Sequence, residues 1–340
     1  MAKQKDLTLR GLKLKSGHLL TTPVYETYWK FAAERQAIFF SRLQDSAQPW
    51  TTDQILRIHK FTNAYRASDR VSQYLIRNVI YEGDQNPKEV FFRTILFKFF
   101  NKIETWNLLK DSFGVINSED FCSNTYSKVL EAAMRAGKRI YSAAYIMPSG
   151  GKGSRYAKKH EMHLWLLNKM LLDGLPDQLI NLPSMEEAFK KMLSYPSIGE
   201  FLAYQYVIDL NYGPSFQFSE MDFVRAGPGA KDGLRKCFLG KLPYTESDVI
   251  KIMADIQDNE FDRLGISFKS LWGRKLQLID CQNLFCEVDK YSRVAHPEIE
   301  GITGRTKIKQ KFSPNSSRVS PFYPPKWGIN QLIESEVSYV

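Results

Sequence analysis

The chain has 340 residues, 43% hydrophobic and 13% aromatic, enough to bury a sizeable core in one large domain or two intimate ones. Its 47 Lys+Arg against 37 Asp+Glu leave a formal charge of +10, which favours a polyanionic partner. Nucleic acid stands ahead of membrane, because the sequence carries no amphipathic basic helix and no lipidation signal.

Cys122, Cys237, Cys281 and Cys286 include no C-x-x-C pair and have no adjacent histidine ligands, so free thiols are expected and no metal or other cofactor is. The N-terminal stretch lacks a continuous apolar run for export, and no run of about 18 apolar residues occurs anywhere. These features predict a soluble, cytoplasmic protein.

Residues 1–24 read as a basic arm, irregular apart from one short strand. From Pro23 apolar residues recur at three- and four-residue spacing, which predicts a helix to Leu43. Thr51-Thr-Asp offers a cap for a helix running to about Ala64, and Ser68-Asp repeats that design for a helix over 68–80. Asn86-Pro87 opens another over 86–100, with proline in the first turn. Further helices are predicted over 103–113, 118–136, 160–173, 185–194, 201–210 and 246–263. Strand-like alternation is confined to 275–279 and 139–146, the latter equally readable as a helix end. The class is therefore mainly α. The expected organisation is an N-terminal arm and first helix (1–45), a helical domain (46–300) and a basic Pro/Ser-rich tail (301–340).

Two segments read as loops. Residues 148–160 are glycine-rich and basic, fitting either phosphate contact or a surface linker; the Walker pattern G-x-x-x-x-G-K-[ST] is absent. The tail carries Arg305, Lys307, Lys309, Lys311, Arg318 and Lys326 with no acid from Gly301 to Leu332. It reads as an extended segment that follows a phosphate backbone, or as a solvated basic terminus.

The organising stretch is Tyr195-Pro-Ser-Ile-Gly-Glu-Phe-Leu-Ala203, a short turn between two helices, followed by Asp222 and then Gly227-Pro-Gly229. Unpaired N–H groups at a helix start attract anions, and a carboxylate near such an anchor points to chemistry on nucleic acid. Met221, Phe223 and Val224 place Asp222 in an apolar sequence setting, where its charge counts for more. The alternative is a structural acid holding the Gly-Pro-Gly turn. Asp289, in Val-Asp-Lys-Tyr-Ser-Arg, is its rival, with a salt bridge to Arg293 as the plainer account. Gly227–Gly229 with Lys231, Arg235 and Lys236 reads as a second phosphate-binding helix start or as a tight turn. His160 and His163 flank Glu161 with no third ligand evident, and read as surface histidines. The aromatic runs Phe91-Phe92 and Phe97–Phe100 read as core.

Residues 195–222 resemble the helix–hairpin–helix DNA glycosylase superfamily, whose hairpin L-P-G-[VI]-G-x-x-[TS]-A contacts a DNA phosphate. Pro196, Ile198, Gly199 and Ala203 match, Ser197 replaces the first hairpin glycine, and Asp222 follows where such enzymes place an acid facing a flipped nucleoside. Phe201 stands where bifunctional members carry a Schiff-base lysine, which implies base excision without strand cleavage. Residues of roughly 55–295 resemble a narrower group, the alpha-glutamyl/putrescinyl thymine pyrophosphorylase-like proteins together with the helical domain of phage 5-hydroxymethyluridine DNA kinases. The shared segments include Ala64–Ile76, Phe92–Trp106, Glu220–Phe238 and Val288–Arg293.

The resemblance implies two packed helical subdomains with a cleft, and DNA with modified pyrimidines as partner. Asp222 would be catalytic, with phosphate contacts from Ser197, Ile198, Gly199, Gly227, Gly229, Lys231, Arg235 and Lys102. A base pocket would draw on Gln73, Tyr74, Trp106, Phe201, Tyr204 and Gln205. The implied activity is a monofunctional glycosylase in defence against phages. The alternatives are a transferase that extends a 5-hydroxymethyl pyrimidine and a module that only binds modified DNA.

Overall fold

Helices dominate the computed structural model, which describes residues 10–14, 17–44, 47–143, 148, 158–240, 244–313 and 320–337, and side chains there except those of 10–18 and 335–337. A hairpin of β1 (Arg10–Leu14) and β2 (Gly17–Thr21) comes first, then α1 (Pro23–Gln44), α2 (Gln54–Ile58), α3 (Arg70–Leu75) and α4 (Pro87–Phe100). The middle of the chain forms α5 (Ile103–Phe113), α6 (Ser123–Arg135), α7 (Lys159–Leu172), α8 (Leu175–Ile180), α9 (Met185–Leu193) and α10 (Glu200–Leu210). The last helices are α11 (Pro228–Cys237), α12 (Glu246–Arg263), α13 (Leu278–Ala295) and α14 (Asn330–Val337).

The chain divides into two compact units, the first built from residues 1–69, 220–321 and 331–340, the second from 70–219 and 322–330. In the first unit α1 and α11 both pack on α13. Tyr28 and Trp29 of α1 are fully buried, with rings 4.7 Å from Phe285 and 5.1 Å from Phe261. The approach of α11 to α13 is closest at Gly233, where a Cβ would lie 2.0 Å from the Phe285 carbonyl oxygen. Only glycine fits there. In the second unit α4 is the central helix, packing against α7, α8 and α10, and its Phe91, Phe92 and Phe99 are fully buried.

Capping explains the helix ends that sequence located. Asn86 accepts a hydrogen bond from the Lys88 N–H at the start of α4, and Thr245 and Asp248 cap α12 reciprocally.

Four expectations are corrected. The arm contains the antiparallel β1–β2 hairpin rather than one strand. The helix from Thr51 stops at Ile58 instead of near Ala64, because His59 turns extended and bridges Lys311 of the tail. The helix expected from residue 118 begins at Ser123, since Glu89 accepts the Ser118 N–H and holds that residue in the preceding turn. No strand forms over 275–279: the Gln257 side chain both donates to the Leu276 carbonyl and accepts its N–H, and α13 starts at Leu278. Of the other strand candidate, 139–143 is irregular and 144–147 lies outside the described residues, as does the glycine-rich 149–157.

Candidate active site

The hairpin expected at Tyr195–Gly199 joins α9 to α10 in the second unit. The Ile198 N–H donates to the Tyr195 carbonyl at 3.2 Å, and buried Ile198 pins the turn to the core. Ser197 has φ of +64°, the left-handed conformation that glycine adopts most readily. The turn therefore keeps its geometry with a serine in the glycine position. Gly199 caps α10 without a side-chain hydrogen bond. Beyond it Phe201 is half-buried, and Tyr204 and Gln205 are buried in the helix.

Asp222 belongs to the first unit, whereas the Pro196–Gly199 turn belongs to the second. The apolar setting inferred from its neighbours is corrected: Asp222 and Met221 are both exposed, and burial begins only at Val224. Apolar residue types beside an acid do not dehydrate it when the segment itself lies at the surface.

The rival acid has different surroundings. Gly227 caps α11, and near that helix's other end Lys236 points into the unit's core. Lys236 Nζ lies 3.0 Å from Asp289 Oδ1, and Arg293 Nη2 lies 2.5 Å from Asp289 Oδ2. Lys236 also donates to the Asp289 carbonyl at 3.1 Å and to Ser292 Oγ at 3.2 Å. The expected bridge between Asp289 and Arg293 is present, but the expectation that Lys236 waits for a phosphate is corrected. Lys231 is exposed and 3.8 Å from Glu246, and exposed Arg235 donates to the Gly240 carbonyl.

Among the expected pocket residues, Tyr74 stacks on Phe97 at 5.9 Å and 18°, and Trp106 meets the same ring edge-on at 5.9 Å. Gln73 Oε1 accepts the Phe322 N–H at 2.7 Å, and Lys102 Nζ donates to the Arg139 carbonyl. Tyr74 and Trp106 thus share one cluster. Sequence did not reveal the charged pair beside it, Lys98 Nζ to Asp209 Oδ2 at 3.1 Å, which joins α4 to α10. The available signal was a lysine inside the Phe97–Phe100 aromatic run.

A half-buried polar cluster occupies the turn before α3. Asp69 accepts the Asn63 N–H at 2.8 Å, and Arg35 donates to Asn63 Oδ1 and the Thr62 carbonyl. Asp280 at the start of α13 accepts the N–H groups of Arg66 and Gln277. Burial pushes the carboxyls up, to about 7 at Asp69 and about 6 at Asp280.

The surface reading of His160 and His163 is corrected, since both are buried. His163 Nε2–H donates to the Pro148 carbonyl at 2.9 Å and Nδ1 accepts from Tyr141 at 3.0 Å, a neutral ring whose pKa burial lowers to about 4. Glu131, which sequence did not link to them, joins His160 and Glu161 in a group whose potential ligand atoms lie within 4.8 Å. Lys158 Nζ sits 2.6 Å from Glu131 and 4.0 Å from Glu161, so an ammonium already balances these carboxylates. No described helix is long and apolar enough to cross a membrane.

With this geometry established, comparison identifies the family. The model of the 5-hmdU DNA kinase helical domain matches residues 22–301, and the chain belongs to that family. A curated relative, the 5-hmdU DNA kinase of Bacillus phage SP10, is 27% identical over 292 residues, covering 79% of this chain. The match covers 45% of that relative, so the chain spans less than half its length. No solved structure matches.

Proposed function

We propose that this protein acts on a modified pyrimidine in DNA and releases the base by N-glycosidic cleavage, leaving an abasic site and an uncut strand. The family match over 22–301, with a relative named for 5-hmdU DNA, carries the modified-pyrimidine part. The chemistry asks little beyond positioning and charge: as the bond lengthens, positive charge grows on the sugar and a carboxylate stabilises it. Water adds to the anomeric carbon and loses a proton, and the departing base nitrogen takes one up. The base must first leave the stack.

Asp222 suits that role better than Asp289, because an acid that touches substrate must be reachable. Asp222 is exposed, whereas Asp289 is buried with both oxygens bound to cations. The absence of lysine at Phe201 supports excision without strand cleavage through an amine nucleophile. The turns at Ser197–Gly199 and Gly227–Gly229, with Lys231, Arg235 and Lys102, are the proposed phosphate contacts. Of the expected pocket residues, half-buried Gln73, Tyr74 and Phe201 are the proposed base contacts, while Trp106, Tyr204 and Gln205 are as buried as Asp289 and would meet the base only after a local opening. Excision of such bases would serve defence against phages that carry them.

A second reading is favoured by the relative's name, which describes group transfer to 5-hmdU DNA. Here the glycosidic bond survives: the amine of an amino acid or polyamine attacks the methylene of an activated 5-hydroxymethyl pyrimidine, and a C–N bond forms. The activating phosphoryl group leaves with the hydroxymethyl oxygen, while the amine gives up a proton to solvent. The decisive experiment incubates the protein with DNA containing 5-hydroxymethyluracil, its phosphoryl-activated form or glucosylated pyrimidines, with and without an amino-acid and polyamine mixture as amine donor, then applies mass spectrometry to bases and nucleosides. Free modified base with abasic sites is expected. A heavier intact nucleoside would establish transfer instead, and binding without any product would reduce the protein to a recognition module.

A further inference from the structure

The proposed site does not use the segment Arg305-Thr-Lys-Ile-Lys-Gln-Lys-Phe312, where cations occupy every second position. In this structure it runs without helix or turn and ends in an antiparallel bridge between His59 and Lys311. The Lys60 N–H donates to the Gln310 carbonyl at 3.1 Å, and the Phe312 N–H to the Ile58 carbonyl at 2.9 Å. Alternate residues of an extended chain point to opposite sides. Opposite the cations Ile308 and Phe312 are half-buried, with the Phe312 ring 6.4 Å from Trp50, and Thr306 and Gln310 are exposed; Arg305, Lys307, Lys309 and Lys311 are all exposed. Among the described residues none of the four forms an ion pair, and Glu300 is the last acid before them.

Buried groups hold the segment in place. Asp232 of α11 accepts the Thr303 N–H at 2.9 Å and also its hydroxyl. Arg293, which pairs with Asp289, spends its other amino group on the Lys307 carbonyl at 3.1 Å. A solvated basic tail has no need of such anchors. At the strand rise of about 3.3 Å per residue, which the bridge at Lys311 establishes at one end of the segment, cations at alternate positions repeat about every 6.6 Å. That is a repeat suited to successive phosphates of one nucleic-acid strand, and strand-tracking grooves are built from such charge.

We infer that Arg305, Lys307, Lys309 and Lys311 form a cationic rail that follows the phosphate backbone of a single DNA strand, independently of its sequence. The inference rests on DNA being the partner, as proposed above, and adds how one strand is held.

The test measures binding of the full chain to a single-stranded oligonucleotide by fluorescence anisotropy across a salt series. The variant carries Arg305→Gln, Lys307→Gln, Lys309→Gln and Lys311→Gln; a companion has Lys307→Arg, Lys309→Arg and Lys311→Arg. Each phosphate contact on a single strand contributes about 0.7 to the slope of log affinity against log salt. The glutamine variant is therefore expected to lose roughly 2 to 3 from that slope, with the arginine variant unchanged. An unaltered slope in the glutamine variant, while the parent binds, overturns the rail and leaves the proposed reaction standing. Failure of the parent to bind any DNA overturns both. Loss of binding to anionic phosphatidylserine vesicles alone, with DNA affinity intact, assigns the rail to a membrane surface and overturns it as a DNA contact.

Discussion

Lys236 Nζ and Asp289 Oδ1 lie 3.0 Å apart with each side chain only 2% exposed, so α11 and α13 are joined by an ion pair that water does not reach. Desolvating two charges costs much of what their attraction returns, but removing one partner strands the other. Lys236→Met leaves Asp289 Oδ1 unpaired while Arg293 still holds Oδ2, so a loss of about 1–3 kcal/mol is expected, below the cost of a fully stranded charge, read from the urea midpoint. Lys236→Met with Asp289→Leu should recover part of that loss, although Arg293 then loses its partner too. A single variant as stable as the parent would show that the pair contributes nothing.

The backbone contact beside that pair makes a second, independent claim. Because a Cβ at Gly233 would lie 2.0 Å from the Phe285 carbonyl oxygen, Gly233→Ala must push the two helices apart. Overpacking of this kind costs typically about 1–3 kcal/mol, and more where the obstacle is backbone. Gly199→Ala is the control: a Cβ there meets nothing within 4 Å, and the residue's φ is −88°. Thermal unfolding should separate the two variants clearly, and equal midpoints would contradict the packing described.

These features show what sequence carries and what it hides. The bounds of α12 and α5 are legible at 246–263 and 103–113, because apolar spacing fixes the helix body. α13 is not: Asp280, Gln282, Asp289 and Ser292 sit at buried positions and break the apolar stripe that would mark it. Its polar residues face the core because partners from remote parts of the chain meet them there, Arg66 at Asp280 and Lys236 at Asp289. Likewise the helix after Thr51 has acceptable propensity as far as Ala64, and only the distant tail at Lys311 ends it. For the candidate site, residue types and turn spacing were legible, but exposure was not. Asp222 and Asp289 both follow apolar or β-branched neighbours, yet one is at the surface and the other is sealed.

His163 predicts a pH dependence. Its folded pKa is lowered to about 4 by burial, against about 6.5 for an unperturbed histidine, so between those values the unfolded chain binds the extra proton. Stability contributed by the neutral ring is thus full above about pH 6.5 and falls as pH drops towards 4. Asp69 and Asp280 act in the opposite sense: their raised folded values favour the native state at low pH, and that contribution is lost as pH rises from about 4 to about 7 and 6. The difference between parent and His163→Gln isolates the histidine. Denaturant unfolding at several pH values should show the variant's disadvantage shrinking as pH falls from 6.5 to about 4; a constant difference would contradict a buried neutral ring.

The choice between the two acids is tested by separating activity from stability. Asp222 is exposed, so Asp222→Asn should leave the unfolding midpoint within about 0.5 kcal/mol of the parent. If it stabilises the developing sugar cation, the same change should slow single-turnover release of the modified base by about 10²–10³-fold, the scale seen on removing one preorganised electrostatic group. Asp289→Asn keeps the shape but removes the charge that Lys236 and Arg293 share, and should lower stability whether or not it touches catalysis. Measuring release below the unfolding transition of each variant removes that confusion. Retained activity in Asp222→Asn, with loss in a folded Asp289→Asn, would transfer the role to the buried acid and require the α11–α13 seam to open around substrate.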